Sequence, residues 1–381
     1  MNDLIRRRLA NQRLLRSSFR TPAEVVSWLG AMQSQDYPGA KWAIGLRAAV
    51  TDEDVERAVD EGAIVRTHIL RQTWHFVARD DIRWMLALSG PRVNAISAHY
   101  YRKMELDERT FTRSRNVFER VLRDGRSLTR PELGGALRRE GITASGIRLA
   151  FLTMRAELDA VICNGARRGK QFTYALLEER VPPAPPMDRE AALATLACRY
   201  FTSHGPATLK DYAWWSGLTV RDAKAGIDLA GSALVCDEVD GFTFWSADRP
   251  VRKDRPYVGR TTRANTRGAS PCAHLLPNYD EYLIAHKDRH LVVSPGSGDG
   301  VVRIKDPFVH HLVLDGTLAG SWTRTVKNGS VHVNCAMYAR PTAETASAID
   351  AAVARLGRFM ERPATSSCSL LRSSKASAGR R

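Results

Sequence analysis

Thr208-Leu209-Lys210-Asp211-Tyr212-Ala213-Trp214-Trp215-Ser216-Gly217-Leu218-Thr219, with the helical stretch Val220 to Leu229 after it, decides the fold. Thr208 with an acid three residues on is the aspartate form of a capping box, so a helix starts there. Gly217 ends it, and Thr219 caps the next. Ala233-Leu234-Val235-Cys236 and Phe242-Thr243-Phe244-Trp245 flank Asp240-Gly241, a pair that tolerates the positive φ angles of a tight hairpin turn. Helix-turn-helix followed by a β-hairpin is the plan of a winged helix.

The same pattern occurs twice upstream. Thr129-Arg130-Pro131-Glu132 opens one copy, with a helix over Ile147 to Leu158. Two strand-like runs there, Ala160 to Cys163 and Gln171 to Tyr174, surround a basic tip holding Arg167, Arg168 and Lys170. Thr21-Pro22-Ala23-Glu24 opens the other, with Pro22 at the favoured first helical position. Thr51 with Asp54 caps its second helix, and Ile64 to Leu70 with Gln72 to Val77 form its strand pair. Three copies make a tandem array.

Outside the copies the character changes. Val181-Pro182-Pro183-Ala184-Pro185-Pro186 is a stiff linker. Residues 271–340 are strand-rich, with hairpin signals at Asp315-Gly316 and Asn328-Gly329. A helix then carries Ile349, Ala352, Val353, Leu356, Phe359 and Met360 at helical spacing. The expected class is α+β: three tandem winged-helix modules, then a small C-terminal β-barrel and a closing helix. The modules span 1–100, 101–186 (with the linker) and 187–250; the basic connection, barrel and helix span 251–362, and 363–381 read as a disordered basic tail.

The chain has 381 residues, 57 Lys+Arg against 41 Asp+Glu, and a net charge of +16. The excess is uneven: +6 over 101–180, −3 over 181–250 and +10 over 251–381. Arg252, Lys253, Arg255, Arg260, Arg263 and Arg267 form the densest cluster, opposed only by Asp254. Arginine forks suit phosphate, so a polyanion, above all nucleic acid, is the expected partner. No stretch approaches the roughly 18 apolar residues of a membrane span, and the first residues lack an apolar signal core. A cytoplasmic, nucleoid-associated protein without a membrane is expected. The six cysteines are never closer than 33 residues and form no CxxC pair, which argues for buried free thiols and no metal site.

Chemistry concentrates in an insert of the first copy, Ala31-Met32-Gln33-Ser34-Gln35-Asp36-Tyr37-Pro38-Gly39-Ala40-Lys41-Trp42. On a helix, Gln33 and Gln35 would diverge by about 200°, whereas in an extended segment both face one side. Two amides and Asp36 could then hold a water molecule.

Gln33-Ser34-Gln35-Asp36 at the end of a first helix resembles the Gln-x-Gln branch of the AlkZ/YcaQ family of bacterial DNA glycosylases. The run Ile64-Val65-Arg66-Thr67-His68-Ile69-Leu70-Arg71-Gln72-Thr73-Trp74-His75-Phe76-Val77 is similar to that family's strand pair. Leu275 to Leu283, with Lys287-Asp288-Arg289, is similar to its C-terminal signature. The resemblance runs from about residue 4 to about 360 in matching order. Two positions depart from it: Ser34 stands where an aliphatic residue is usual, and His68 where many relatives carry a bulky aromatic.

The resemblance implies tandem winged helices around a DNA channel, and Gln33 and Gln35 as the catalytic pair that positions water. It implies a monofunctional glycosylase, without lyase activity, that removes cationic N7- or N3-alkylated purines and unhooks interstrand crosslinks. An alkylated purine already carries positive charge and leaves without a general acid, so no nucleophilic lysine and no cofactor are needed. The resemblance also implies that a bulky adduct is engaged from the groove without complete extrusion. Asp36, His68, Arg71, His75, Arg167, Arg168, Lys170, Arg252, Lys253, Arg255, Arg260 and Arg263 are the candidate contacts to double-stranded DNA, bound by a monomer. The competing reading is a non-catalytic winged-helix DNA binder, a regulator or lesion sensor, which would need neither the barrel nor the insert.

Overall fold

A computed structural model describes residues 3–247, 271–293 and 309–371. They form two compact units. The larger comprises residues 10–249 and 279–287, and the smaller takes in the described residues among 1–9, 250–278 and 288–381.

After α1 (Asp3–Asn11), the larger unit opens with α2 (Pro22–Leu29), β1 (Ala31–Gln33), α3 (Tyr37–Gly45), α4 (Asp52–Asp60), β2 (Ile64–His68) and β3 (Trp74–Ala78). Next come α5 (Ile82–Lys103), α6 (Glu108–Leu122), β4 (Leu128–Thr129), α7 (Arg130–Arg139) and α8 (Gly146–Leu158). The hairpin β5 (Ile162–Asn164) and β6 (Thr173–Leu176) follows, closed by α9 (Leu177–Arg180). The third group is α10 (Arg189–Ser203), α11 (Leu209–Ser216), α12 (Val220–Ala230), β7 (Leu234–Val239) and β8 (Phe242–Ala247). Each group of helices thus ends on an antiparallel hairpin. β1 joins the first as β1-β3-β2 and β4 joins the second as β4-β6-β5, while β7-β8 stands as a pair.

The expected capping boxes are present at Thr21/Glu24, Thr51/Asp54, Thr129/Glu132 and Thr208/Asp211, where each threonine hydroxyl and acid satisfies an orphan amide of the first turn. Asp240-Gly241, Asp315-Gly316 and Asn328-Gly329 all sit at positive φ, the twist that a two-residue hairpin turn requires. One core joins the first and third groups through Val65, Val77, Leu196, Tyr200 and Trp215. A second fills the middle group around Phe118, Leu133, Leu137, Leu152 and Ile162.

Gly217 ends α11 in the left-handed conformation at φ +68. A Cβ there would collide with the carbonyl oxygen of Leu70. Leu70 itself is buried at φ +61, with its amide donating to Ser89 Oγ at 3.2 Å. The third group therefore sets the backbone of the β2–β3 loop. Gly217→Ala is expected to destabilise the larger unit by about 1–3 kcal/mol from backbone strain alone, with the collision adding to it. Thermal melting of the variant checks this, and an unchanged midpoint would contradict it.

In the smaller unit, β9 (Ala273–Leu276), β10 (His310–Leu314), β11 (Thr317–Lys327), β12 (Ser330–Met337) and β13 (Ala364–Leu370) form one sheet in the order β13-β12-β11-β10-β9. Among the described residues this sheet is open, which corrects the expectation of a barrel. The long helix α14 (Ala343–Phe359) carries the chain from β12 to a parallel partner, β13, so the last strand extends the edge beyond β12 instead of closing on β9. Residues 364–370, expected to be disordered, are this strand. Backbone pairing along the edge of β12 overrides a composition rich in serine. The short helix α13 (Glu281–Ile284) belongs to the larger unit, although it follows β9 in the chain. All six cysteines are free; Cys163 and Cys335 are buried, but Cys236 and Cys368 are exposed, against the expectation that all would be buried. No helix among the described residues is long and apolar enough to cross a membrane.

Candidate active site

Gln33 ends β1, and its Cα partner on β3 is His75. The extended backbone continues one residue further, because the Ser34 amide donates to the Trp74 carbonyl at 2.8 Å. The chain then bends into α3, with Asp36 at its N-cap. Gln33 is half-buried and Gln35 exposed. Gln33 reaches the β2–β3 loop, and Gln35 reaches the first residue of β3. Gln33 Oε1 accepts from Arg71 Nη2 at 3.4 Å, and Gln35 Oε1 accepts from the Trp74 amide at 3.5 Å. The loop that Gly217 supports thus meets Gln33.

Arg71 Nη2 also donates to His75 Nε2 at 3.4 Å. His75 Nδ1 donates to the Thr73 carbonyl at 2.9 Å, which leaves Nε2 as the acceptor of a neutral imidazole. Burial, then the Arg71 charge, holds His75 well below the ordinary histidine value. Burial likewise lowers Arg71, opposed by the buried Glu281 carboxylate. A histidine depressed in the folded state titrates first in the unfolded chain, near 6.5, so its contribution to stability is lost as pH falls below that value. Between pH 7.5 and 5.5 the wild type is expected to lose about 1 kcal/mol more than His75→Asn, since one proton is worth at most about 1.4 kcal/mol per pH unit. Urea unfolding at the two pH values checks this; equal losses would contradict it.

Direct pairing puts His68 opposite Trp74 and His75 opposite Thr67, so the two histidines lie on opposite faces of the hairpin. His68 Nδ1 bonds Glu157 Oε2 of α8 at 2.5 Å, and its ring lies 4.5 Å from that of Trp74. Asp36 is half-buried and makes no capping bond; its charge, after burial, raises the Tyr279 phenol above its ordinary value.

The basic hairpin tip divides. Arg167 pairs with Glu56 at 3.0 Å, its amide donates to Asp60, and its guanidinium lies 5.0 Å from the Tyr37 ring centre. It holds the tip against α3 and α4 rather than facing outward. Arg168 is exposed and bonds Glu132 and the Ser127 carbonyl. Lys170 is exposed. Arg252, Lys253, Arg255, Arg260 and Arg263 lie outside the described residues.

Four side chains that frame this site were not singled out for it from sequence. Arg66 donates to the Ser34 carbonyl from Nε and Nη2 at 3.3 and 3.1 Å, with Trp74 and Phe172 rings 4.4 and 4.5 Å away. Burial brings its guanidinium down to about 10, so it stays charged at neutral pH and grips the middle of Gln-x-Gln. Glu281 Oε1 accepts the Gln33 amide at 2.8 Å, and its Oε2 accepts Trp215 Nε1 at 2.9 Å. Asp280 pairs with the fully buried Arg47 through both oxygens, at 2.8 and 2.9 Å. Glu157, the fourth, holds His68. The one available signal for Glu157 was an acid inside the apolar stretch of α8; Asp280 and Glu281 stood within the Leu275–Leu283 run. Ser34 is fully buried, with its hydroxyl unpartnered, so an aliphatic residue would suit this position.

Over residues 26–359 the sequence matches the family described as "DNA glycosylase AlkZ-like", and the chain belongs to that family, which implies DNA as its partner. Among solved structures, "Streptomyces sahachiroi DNA glycosylase AlkZ" is similar in fold, with a TM-score of 0.74 at 20% identity, covering 96% of this chain and 98% of that one. No curated protein matches the chain.

Proposed function

We propose that the chain is a monofunctional glycosylase that hydrolyses the N-glycosidic bond of cationic N7- or N3-alkylated purines in duplex DNA, including crosslinked ones. Gln33 and Gln35 hold the attacking water. The observation that carries this reading is that the two glutamine oxygens bond residues three apart, Arg71 of the β2–β3 loop and Trp74 at the start of β3, where the Gln-x-Gln strand turns into α3. An amide oxygen has two lone pairs, so each can accept a water proton beside its protein bond. As the base departs, positive charge develops on the sugar, and fixed amide dipoles stabilise it while orienting the water. Lys41, the lysine of this insert, is buried between Asp52 and Glu56 at 2.8 and 2.7 Å, which supports hydrolysis by water over a lysine nucleophile.

The three helix–hairpin groups are read as winged helices that grip the duplex, with Arg168 and Lys170 at an exposed hairpin tip. Binding is then expected to weaken steeply with salt, the slope counting displaced phosphate counterions.

The test is incubation with a duplex carrying N7-methylguanine. Free base and intact abasic strands should accumulate, with strand breaks only after alkali. Failure to release any alkylated purine would sink the proposal. Duplex affinity that does not change with salt would remove the phosphate-binding role from the basic groups.

A further inference from the structure

On the face of the hairpin carrying His68 and Trp74, opposite the face where Gln33 pairs with His75, lies a pocket of about 310 Å³. Its walls include His68, Trp74, Tyr100, Arg130, Phe151 and Met154, drawn from the first hairpin, α5, α7 and α8. That volume is near the lower end for small-molecule sites, which run from about 300 to 1,000 Å³. Tyr100 and Phe151 stack with ring centres 5.9 Å apart and planes 18° from parallel, and the Trp74 ring faces the same space. Tyr100 is 48% exposed, so its ring is open to a base from solution.

The polar groups are few and of distinct kinds. His68 Nδ1 is taken by Glu157, so Nε2 is its remaining hydrogen-bonding atom at the pocket wall. The Arg130 side chain makes no hydrogen bond or ion pair among the described residues, and its charge acts on the Tyr174 phenol. A flat aromatic wall, an oriented imidazole and an uncommitted guanidinium match the three parts of a nucleotide: a π-face, a polar base edge and a phosphate. Trp74 connects this pocket to the Gln-x-Gln strand. Its backbone amide donates to Gln35 and its carbonyl accepts from Ser34, while its indole lines the pocket.

We propose that this pocket receives an unstacked purine of the bound DNA, with the base against Trp74, Tyr100 and Phe151, its edge at His68 and its phosphate at Arg130. The proposal rests on the DNA-binding reading. It places a base of the bound DNA other than the departing one out of the helix stack. The unstacking cost falls on the pocket, because aromatic faces replace the lost base stacking.

The test measures affinity by fluorescence anisotropy for two duplexes of one sequence, one fully paired and one with a single bulged adenine. Wild type should bind the bulged duplex about tenfold more tightly, within the range that base–aromatic stacking supplies. Tyr100→Ala, at a half-exposed position, should reduce that ratio, and Tyr100→Ala/Phe151→Ala should bring it near one without changing affinity for the paired duplex. Arg130→Gln should lower the salt slope on the bulged duplex by about one. A wild-type ratio of one, or a ratio that survives in the double variant, overturns the pocket. Base release without any bulge preference overturns it while leaving the glycosylase reading intact. Bulge preference without release supports the pocket and removes the catalysis. A protein that binds neither duplex loses both.

Discussion

Gln35→Ala should release N7-methylguanine from duplex DNA about 10²- to 10³-fold more slowly than wild type, the usual cost of removing one preorganised polar group at a transition state. Gln35 is exposed and its protein bond is a single long one, at 3.5 Å to the Trp74 amide, so the variant should fold normally. Gln33→Ala should slow release similarly, but through two effects. It removes an amide, and it leaves the buried Arg71 guanidinium with His75 as its one described hydrogen-bond partner, on an arginine whose Nε is already unpartnered. Some loss of stability should therefore accompany Gln33→Ala and not Gln35→Ala. The double variant should release no measurable base while binding duplex as tightly as wild type, because neither glutamine carries charge to meet phosphate. Release that survives in the double variant would remove the glutamines from the mechanism. Rates under single turnover, with affinity measured in parallel, separate chemistry from binding.

The largest effect on stability should come from Asp280→Ala. Arg47 and Asp280 are fully buried and doubly bonded, and Arg47 also donates to the Gln12 and Ala43 carbonyls. Removing the carboxylate leaves an uncompensated buried guanidinium, which costs about 3–5 kcal/mol. Arg47→Met/Asp280→Leu should recover most of that, since two apolar groups of similar size abolish both desolvated charges. Chemical denaturation followed by tryptophan emission checks both, with Trp42 and Trp215 buried in the larger unit. Two compact units need not unfold together, so the transition carrying those tryptophans is the one to compare. If the single and double variants lose equally, the pair is not what anchors the segment. Base release should fall as well in Asp280→Ala, because the next residue, Glu281, holds the Gln33 amide.

Local signals in the sequence carried much of the fold. The capping boxes and the Asp-Gly and Asn-Gly turns were legible because each depends on a side chain bonding its own backbone, or on φ angles few residues tolerate. The open sheet was not. Ala364 to Leu370 has the composition of a tail, and whether it pairs depends on an unfilled strand edge that no local pattern encodes. The site divided the same way. Gln33 could be placed on an extended strand by alternation, whereas the faces of His68 and His75 could not be placed, because a hairpin turn lies between them. Arg167 could not: it reads as a phosphate contact, yet Glu56, Asp60 and Tyr37 hold it inward.

The sequence by itself determined three helix–hairpin groups, an extended Gln-x-Gln segment and where the positive charge collects. These follow from periodicity, caps and composition, all short-range along the chain. Tertiary structure alone decided what grips that segment. Arg66 holds its Ser34 carbonyl, Arg71 its Gln33 amide, and Glu281, 248 residues away along the chain, its Gln33 backbone. Buried polar groups must find partners wherever packing puts them, so such bonds are settled by the folded core and not by neighbours in sequence.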